Sequence, residues 1–268
     1  MKKRRLIPVL LLRNGWLVQS KQFRRWKNLG NPLAAVKRLS EWASDELVYL
    51  DISRDRTYDL RRDDLAGPNR HSIFEIIEDV SKEAFMPVTV GGGIRTLADI
   101  ERRLSLGADK VCVNTQPLRD PGFVEAAATE FGSQCVVVSI DVKDIGGRPT
   151  VMTDWGTAPT ERGPLEWALE VEGRGAGEVL LNSVDRDGMG GGYDLDLIDR
   201  VADALRIPVV ACGGVGEWAH LAEGLAQTGA DAVAAANIFH YTDQSVFLAK
   251  TYLTERGLDV RPPELFST

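Results

Sequence analysis

Acidic side chains stand at the ends of three apolar runs in this sequence, where buried strands would reach solvent. Asp51 follows "ELVYL", Asp141 lies within "CVVVSIDV", and Asp187 belongs to "DRDG". A carboxylate in such a place can exchange a proton with a bound molecule, and two carboxylates can divide the roles of general acid and general base. One of them could instead cap a helix or solvate a loop, but three at strand ends favour a functional site.

Glycine-rich segments follow two other apolar runs and are suited to binding anions. "VTVGGG" ends at Gly93 and "VVACGG" ends at Gly214. Glycines leave backbone N–H groups open to close approach, and the next runs end in "NT" and "AN" just before helix N-termini, which also favour anions. Tight turns are the other explanation of the glycines, but their repetition in register predicts two phosphate sites. The residues concerned are Gly93, Asn114, Thr115, Gly214, Ala236 and Asn237.

Eight short apolar runs alternate with amphipathic segments that have helical spacing. The runs cover 6–12, 46–52, 87–90, 110–114, 135–142, 178–184, 208–212 and 232–236. Strands that are apolar on both faces, each followed by a helix, predict a parallel sheet covered by helices. Eight such units in about 250 residues are typical of a (β/α)₈ barrel. We therefore predict a single α/β barrel domain over residues 1–268, with a doubly wound open sheet as the alternative.

An internal repeat supports the barrel. Residues 86–115 resemble residues 207–237, including a proline before the strand, the glycine-rich turn and the tripeptide "GAD". The pattern predicts a half-barrel that occurs twice. In this alignment Leu11 of the first half corresponds to Asp141 of the second, so one half carries a hydrocarbon where the other carries a carboxylate.

Composition and charge exclude several classes of protein. The net charge of −7 argues against general nucleic-acid binding. The start "MKKRRLIPVLLL" imitates a signal peptide, but its short apolar run favours a first strand. Since no stretch is long enough to span a membrane, we expect a cytoplasmic protein. Scattered histidines predict no metal and no cofactor, and three residues are expected to be reduced core cysteines: Cys112, Cys135 and Cys212.

Taken together, the motifs resemble the cyclase subunit of imidazole glycerol phosphate synthase, the HisF family. They are "RLIPVLLLRNG", "DELVYLDI", "VTVGGGI", "GADKVCVNT", "VVVSIDVK", "GAGEVLLNSVDRDG" and "IPVVACGG", and they extend over nearly the whole chain. The resemblance implies a (β/α)₈ barrel that takes ammonia from a HisH-like glutaminase docked at one face. It also implies that the ammonia crosses the barrel core and reaches a phosphorylated substrate at the other face.

The resemblance implies roles for particular residues of this chain. It adds Gly188 and Asp187 to the second phosphate site and retains polar positions at Asp51 and Asn182. Asp109 matches a contact with the glutaminase. A ring of charged strand starts matches the ammonia entrance, although strand starts are often charged simply because they meet solvent. The ring consists of Arg5, Glu46, Lys110 and Glu178.

Two departures from the family set the functional prediction. The family's two catalytic carboxylates fall at Leu11 and Asp141, and a lysine of the family's flexible first loop aligns with Gln19. Leucine cannot transfer a proton. The chain resembles the ammonia-delivering paralogues of bacterial surface-polysaccharide clusters, whose first strand also reads "PVLLL" and in which a third enzyme amidates a sugar. The alternatives are a working histidine-pathway cyclase and a non-catalytic scaffold that binds a phosphorylated ligand. The charged insertion 54–71 could form a lid, a docking surface or a solvated loop.

Overall fold

The computed structural model describes residues 3–54, 58, 69–240 and 245–263. The strands in these ranges are β1 (Arg5–Arg13), β2 (Trp16–Lys21), β3 (Arg25–Gly30), β4 (Leu47–Asp51), β5 (Val88–Gly91), β6 (Lys110–Val113), β7 (Val136–Ile145), β8 (Arg148–Thr153), β9 (Ala158–Pro159), β10 (Glu178–Ser183), β11 (Val209–Cys212) and β12 (Ala232–Ala235). The helices are α1 (Pro32–Glu41), α2 (Ile73–Glu83), α3 (Leu97–Ser105), α4 (Thr115–Arg119), α5 (Gly122–Phe131), α6 (Pro164–Gly173), α7 (Leu195–Ala204), α8 (Trp218–Ala226) and α9 (Val246–Glu255).

Eight of these strands close into a parallel barrel. Their order is β1, β4, β5, β6, β7, β10, β11, β12 and back to β1. Each of the eight apolar runs predicted from the sequence coincides with one barrel strand, so the (β/α)₈ prediction is confirmed. The open sheet is excluded because β12 pairs with β1. In the described part of the chain, every helix falls short of the length and apolar character needed to cross a membrane.

Strand alternation divides the apolar residues into two layers. Along β1, Leu10 and Leu12 pack against the helices, whereas Val9 and Leu11 face the barrel axis. We call the second set the inner cluster; it comprises Ile7, Val9, Leu11, Val18, Val48, Cys112, Val137, Leu180, Val210, Ala232 and Ala234. Cys112 is buried there as predicted. Cys135 and Cys212 are free thiols as well, but they are only partly buried.

A hairpin of β2 and β3 extends the barrel at the carboxyl end of β1. It begins at a tight turn in which Asn14 and Gly15 have φ of 53° and 83°, a conformation that suits a two-residue hairpin. Alternation directs Val18 to the inner cluster and turns Gln19 to the opposite face. Position 19 therefore lies in a strand, where the resemblance implied a flexible loop.

The sequence predicted less about other segments. The helices α5 and α9 and the antiparallel pair of β7 with β8 were not singled out from the sequence. In α5, exposed positions carry alanine as well as acids, and in α9 the buried face includes Lys250 while the exposed face includes Leu248, so the apolar pattern of both helices is weak. Most of the insertion 54–71 lies outside the described residues, so its proposed roles as lid or docking surface stay predictions. Arg54 and Tyr58 are described, and both face the site considered next.

Candidate functional site

A cavity of about 540 Å³ opens at the carboxyl ends of the barrel strands. Active sites of (β/α)₈ enzymes lie at this end. Residues that the sequence analysis assigned to phosphate binding or proton transfer, together with Leu11, all line this one cavity. They are Leu11, Asp51, Gly93, Asn114, Thr115, Asp141, Asn182, Asp187, Gly188, Gly214, Ala236 and Asn237. Their location is thus established, whereas their individual roles stay predictions.

Asp141 is the most strongly perturbed acid in the cavity. Its side chain is buried, with 9% of the residue exposed. Its Oδ2 accepts a hydrogen bond from Asn114 Nδ2 at 2.9 Å, and its Oδ1 accepts one from Asn182 Nδ2 at 3.3 Å. Burial raises the pKa of Asp141 to about 6, against the opposing effect of the two amide donors. A carboxyl group with this pKa can both accept and donate a proton near neutral pH.

Leu11 lies on the same inner surface but belongs to the apolar inner cluster. It is 7% exposed, lines the cavity, and is in register with Val18 of the hairpin. Trp26 of β3 packs against the same cluster. The surroundings of position 11 are therefore hydrocarbon and indole, which would disfavour an ionised side chain.

The other acids predicted for the site make internal hydrogen bonds. Asp51 accepts from the backbone N–H and hydroxyl of Ser53 at 3.0 and 2.5 Å and from the Tyr58 hydroxyl at 2.9 Å. These bonds hold the start of the loop after β4. Asp51 therefore has a structural task in addition to any contact with a ligand.

Asp187, in the segment after β10, and Asn237, in the segment after β12, both bind the hairpin. Asp187 Oδ2 accepts from the Ser20 hydroxyl at 2.7 Å, and Asn237 Nδ2 donates to the Ser20 carbonyl at 2.7 Å. The Ser20 N–H completes the connection by donating to Asn237 Oδ1 at 3.3 Å. Burial raises the pKa of Asp187. We call Ser20, Asp187 and Asn237 the hairpin clasp.

The two glycine-rich turns have similar backbone conformations. Gly92 and Gly213, which correspond in the repeat, have φ of 98° and 93°. A Cβ at Gly92 would lie 2.0 Å from the Asp51 carbonyl oxygen, and one at Gly213 would lie 2.7 Å from that of Ser183. Close packing alone therefore explains why both positions are glycine. Anion binding by these turns stays a prediction.

Several cavity residues escaped the sequence analysis. Trp26 lies in β3 and Trp155 in the turn between β8 and β9, and neither segment carries a recognisable motif. Arg103 of α3 donates to the Gly92 carbonyl at 2.8 Å and to the Asp99 carbonyl at 2.7 Å, so it holds the first glycine-rich turn. Three further arginines line the cavity, namely Arg54, Arg95 and Arg119. Exposed arginines are common on any surface, so only the fold could reveal that these converge.

At the opposite end of the barrel, the predicted ring of charges is closed by ion pairs. Arg5 contacts Glu46 and Glu178 at 2.5 Å each, and Lys110 contacts the same two glutamates at 3.0 Å each. Burial alone would lower the pKa of Arg5, but the charges of Glu178 and Glu46 raise it above its usual value. We call these four residues the charged ring. It connects four strands across the barrel axis.

Asp109, predicted at a partner contact, has an internal role. Its Oδ2 accepts from the Val88 N–H at 2.8 Å, and its counterpart Asp231 accepts from the Val209 N–H at 3.1 Å. The acid of the repeated "GAD" tripeptide therefore fixes the start of the preceding strand in both halves. Among the described residues, no three histidine, cysteine or acidic side chains are grouped so as to hold a metal ion.

Comparison with known families agrees with this architecture. Residues 5–245 match the model of the family described as "Histidine biosynthesis protein". The matched range begins at the first member of the charged ring and contains all eight barrel strands and the cavity. Members of this family are enzymes of the isomerase and cyclase type. The chain therefore belongs to the histidine biosynthesis protein family.

Proposed function

We propose that this chain is a HisF-like synthase subunit that receives ammonia from a HisH-like glutaminase. In this proposal the ammonia is directed to a phosphorylated sugar-type substrate, or to a partner enzyme that amidates a sugar in surface-polysaccharide biosynthesis. The observation that carries the proposal is Leu11, which lines the cavity from the apolar inner cluster together with the other predicted site residues. One of two family carboxylates is thus replaced without loss of the surrounding barrel.

A working histidine-pathway cyclase is the first alternative. Ring closure by ammonia and elimination of the second product move protons at different atoms, which calls for an acid and a base. Asp141 can serve as one of them, but Asp51 and Asp187 are engaged by hydroxyl and backbone donors. The geometry therefore supports one proton-transfer group better than two.

A non-catalytic scaffold is the second alternative, and Asp141 argues against it. Burying a carboxylate without a cationic partner costs stability. Asp141 is buried among amide donors and Ser139, and burial raises its pKa to about 6. Groups perturbed in this way concentrate at functional sites.

The barrel interior suits a neutral nitrogen donor. Between the charged ring and the cavity lie inner-cluster residues such as Val48, Ala232 and Ala234, which are apolar and partly small. An ammonium ion would lose the hydration of a full charge on entering an apolar passage, and this costs free energy. Neutral ammonia carries no charge and does not incur that cost. This supports passage of ammonia from the ring to the cavity.

The cyclase alternative is tested with the substrate of imidazole glycerol phosphate synthase and excess ammonium, which bypasses any glutaminase. We expect little turnover, because loss of one general acid or base typically costs about 10²–10⁴-fold. Leu11→Asp together with Gln19→Lys should raise turnover from that low base. Leu11→Asn is the matched control, equally polar but unable to transfer a proton. Wild-type turnover like that of an ordinary cyclase would refute the proposal.

The ammonia route is tested with a purified HisH-like glutaminase. Lys110→Gln should weaken the complex or uncouple glutamine hydrolysis from ammonia delivery, since it opens the charged ring. Lys143→Gln, at the other end of the barrel, is the control and should change neither. Circular dichroism establishes that both variants are folded. Unchanged affinity and coupling in Lys110→Gln would remove the ammonia entrance from the proposal.

A further inference from the structure

Two tight turns beside the cavity carry aromatic side chains in a backbone conformation that bulky residues avoid. Phe23, in the turn between β2 and β3, has φ of 55°, and Trp155, in the turn between β8 and β9, has φ of 60°. The preceding residues Gln22 and Asp154 are also left-handed, with φ of 51° and 49°. Glycine and asparagine adopt this conformation at lower cost, and such outliers concentrate at ligand clamps and other functional sites. The two rings are therefore candidates for a function beyond the formation of the turns.

A second cavity adjoins the first at these two turns. It measures about 250 Å³ and lies between the turns and the segment after β10, which contributes Val184 and Asp185. Phe23 and Trp155 line both cavities, so their side chains stand at the boundary between them. The volume of the second cavity falls below the range of about 300–1,000 Å³ that is usual for a whole ligand. The second cavity therefore suits one part of a ligand whose remainder lies in the first cavity.

The two aromatic side chains differ in how closely they are packed. Phe23 lies against the neighbouring turn, because a Cβ at Gly156 would be 2.9 Å from Phe23 Cδ2 and 3.4 Å from Val184 Cγ1. Trp155, in contrast, keeps 39% of its surface exposed. Phe23 therefore serves as a fixed wall, whereas the Trp155 ring offers apolar surface to a ligand.

Arg54, in the segment after β4, approaches the Trp155 ring without stacking closely on it. Its Cζ lies 5.5 Å from the centroid of the Trp155 ring, whereas Arg102 Cζ lies 3.6 Å from the centroid of the Phe74 ring. The looser contact still falls within the range of a cation–π interaction. An anionic group of a ligand beside Trp155 can therefore pair with the Arg54 guanidinium group.

The turn that carries Trp155 is fixed beside the first predicted phosphate site. Thr153 Oγ1 donates to Thr115 Oγ1 at 3.2 Å, and Arg119 pairs with Asp154 at 3.0 Å. Thr115 and Arg119 are the first and last residues of α4, and Thr115 belongs to the predicted phosphate site. A ligand whose phosphate lies at that site can therefore place an adjoining ring against Trp155.

Charged groups that can bind hydroxyl groups line the second cavity beyond the aromatic side chains. Within the described ranges, the Arg24 guanidinium group makes no ion pair or hydrogen bond, and Asp185 Oδ2 accepts from the Asp144 N–H at 2.7 Å. A sugar ring presents C–H groups on its faces and hydroxyl groups around its edge, so it fits an aromatic surface flanked by such groups. A purely apolar group would instead desolvate the two charges without giving them hydrogen bonds.

We propose that Trp155, together with Arg54 and the second cavity, forms a subsite for a sugar ring. The phosphate of the ligand lies at the first glycine-rich turn, the ring packs on Trp155, and its hydroxyl groups reach Arg24 and Asp185. The proposal rests on the phosphorylated sugar-type substrate of the proposed function and adds the residue that selects a ring. It is independent of the second glycine-rich turn and of ammonia transfer.

Titration calorimetry on the isolated chain tests the subsite with two probes. Glucose 1-phosphate carries a phosphate on a sugar ring, and glycerol 3-phosphate carries the same group without a ring. Glucose 1-phosphate should bind at least about tenfold more tightly, because contact between a ring and an aromatic side chain typically contributes about this much. Equal affinity for the two probes would overturn the subsite and leave the phosphorylated substrate standing. Binding of neither probe would overturn both.

The variant Trp155→Gly separates ligand binding from folding, because glycine suits the left-handed backbone of this turn. It should weaken glucose 1-phosphate at least about tenfold, leave glycerol 3-phosphate within about twofold, and not lower the thermal unfolding temperature. Ile145→Ala is the matched control, since Ile145 is 43% exposed at the end of β7 and lines neither cavity. It should change neither affinity. Equal weakening of both probes by Trp155→Gly, or unchanged binding of glucose 1-phosphate, would overturn the role of Trp155.

Discussion

Buried charges have different partners at the two ends of the barrel. In the charged ring, each cation touches two carboxylates and each carboxylate touches two cations. In the cavity, Asp141 is buried with amide and hydroxyl donors, and Leu11 lines the same cavity from the apolar inner cluster. The difference teaches that the pairing of charges, more than the type of residue, distinguishes the two ends of the barrel. Mutually paired charges close one end, whereas a carboxyl group without a cation keeps a pKa suited to proton transfer.

The largest effect is expected from breaking the pairing in the ring. Arg5→Met leaves Glu46 and Glu178 with Lys110 alone, and an uncompensated buried charge typically costs about 3–5 kcal/mol of unfolding free energy. Urea denaturation measures the loss. The double variant Arg5→Met/Glu178→Gln restores one cation to one carboxylate and should recover part of it. Equal and small losses in both variants would show that the ring charges are independent.

A carboxylate introduced at the cavity end of the barrel should cause the next largest loss of stability. Leu11→Asp removes a leucine from the inner cluster and places an acid against Val18, which we expect to cost about 2–4 kcal/mol. The like charge should also raise the pKa of Asp141 further. Carbon-13 chemical shifts of the Asp141 carboxyl group measure that pKa. A stable variant with an unchanged Asp141 pKa would mean that position 11 is solvated.

The raised pKa of Asp141 should make the stability of the folded protein depend on pH. Its folded-state pKa of about 6 lies above the ordinary 3.8, so the folded state binds the proton more tightly than the unfolded chain. Stability should therefore decrease as the pH rises from about 4 to about 6. The Asp141→Asn variant has no titrating group at this position. Its unfolding free energy relative to wild type should therefore rise by about 2 kcal/mol between about pH 4 and pH 8. A difference between the two proteins that does not vary with pH would contradict the raised pKa.

The smallest effect concerns the repeated acids at the ring end. Asp109→Asn and Asp231→Asn each weaken a charge-assisted bond to a backbone N–H, at a cost of about 1 kcal/mol. Because the two positions correspond in the two half-barrels, thermal unfolding should show similar losses. Weaker glutaminase binding in Asp109→Asn alone would assign the contact to that half. Equal weakening in both would show that the loss comes from disturbed strand starts.

The sequence predicted the elements that burial dictates. All eight barrel strands are apolar on both faces, and such runs have few other stable arrangements than a covered parallel sheet. The hairpin "WLVQSKQFRRWKNLG" has no such pattern, because β3 is largely exposed, and its existence depends on pairing with β1. Local sequence therefore could not reveal that Trp26 returns to the inner cluster.

The location of the site could be predicted from the sequence, but the hydrogen-bond partners of its residues could not. Residues at the ends of barrel strands must meet at one mouth, which is why Asp141, Asn182 and Asp187 were found together. Their partners come from distant loops, so the hydrogen bond from Ser20 to Asp187 and the one from Val88 to Asp109 had no local signal. The resemblance to HisF supplied candidate residues, and the fold supplied what each one touches.

The backbone at position 11 is paired on both sides, since Leu11 is in register with Leu50 of β4 and with Val18 of β2. A strand held in this way keeps its course whichever side chain it carries. Hydrocarbon and carboxylate would therefore occupy the same place, and a single substitution would exchange one for the other without rebuilding the barrel. Under the proposed function, position 11 is therefore a place where one side chain can remove or restore a chemical step while the fold stays the same.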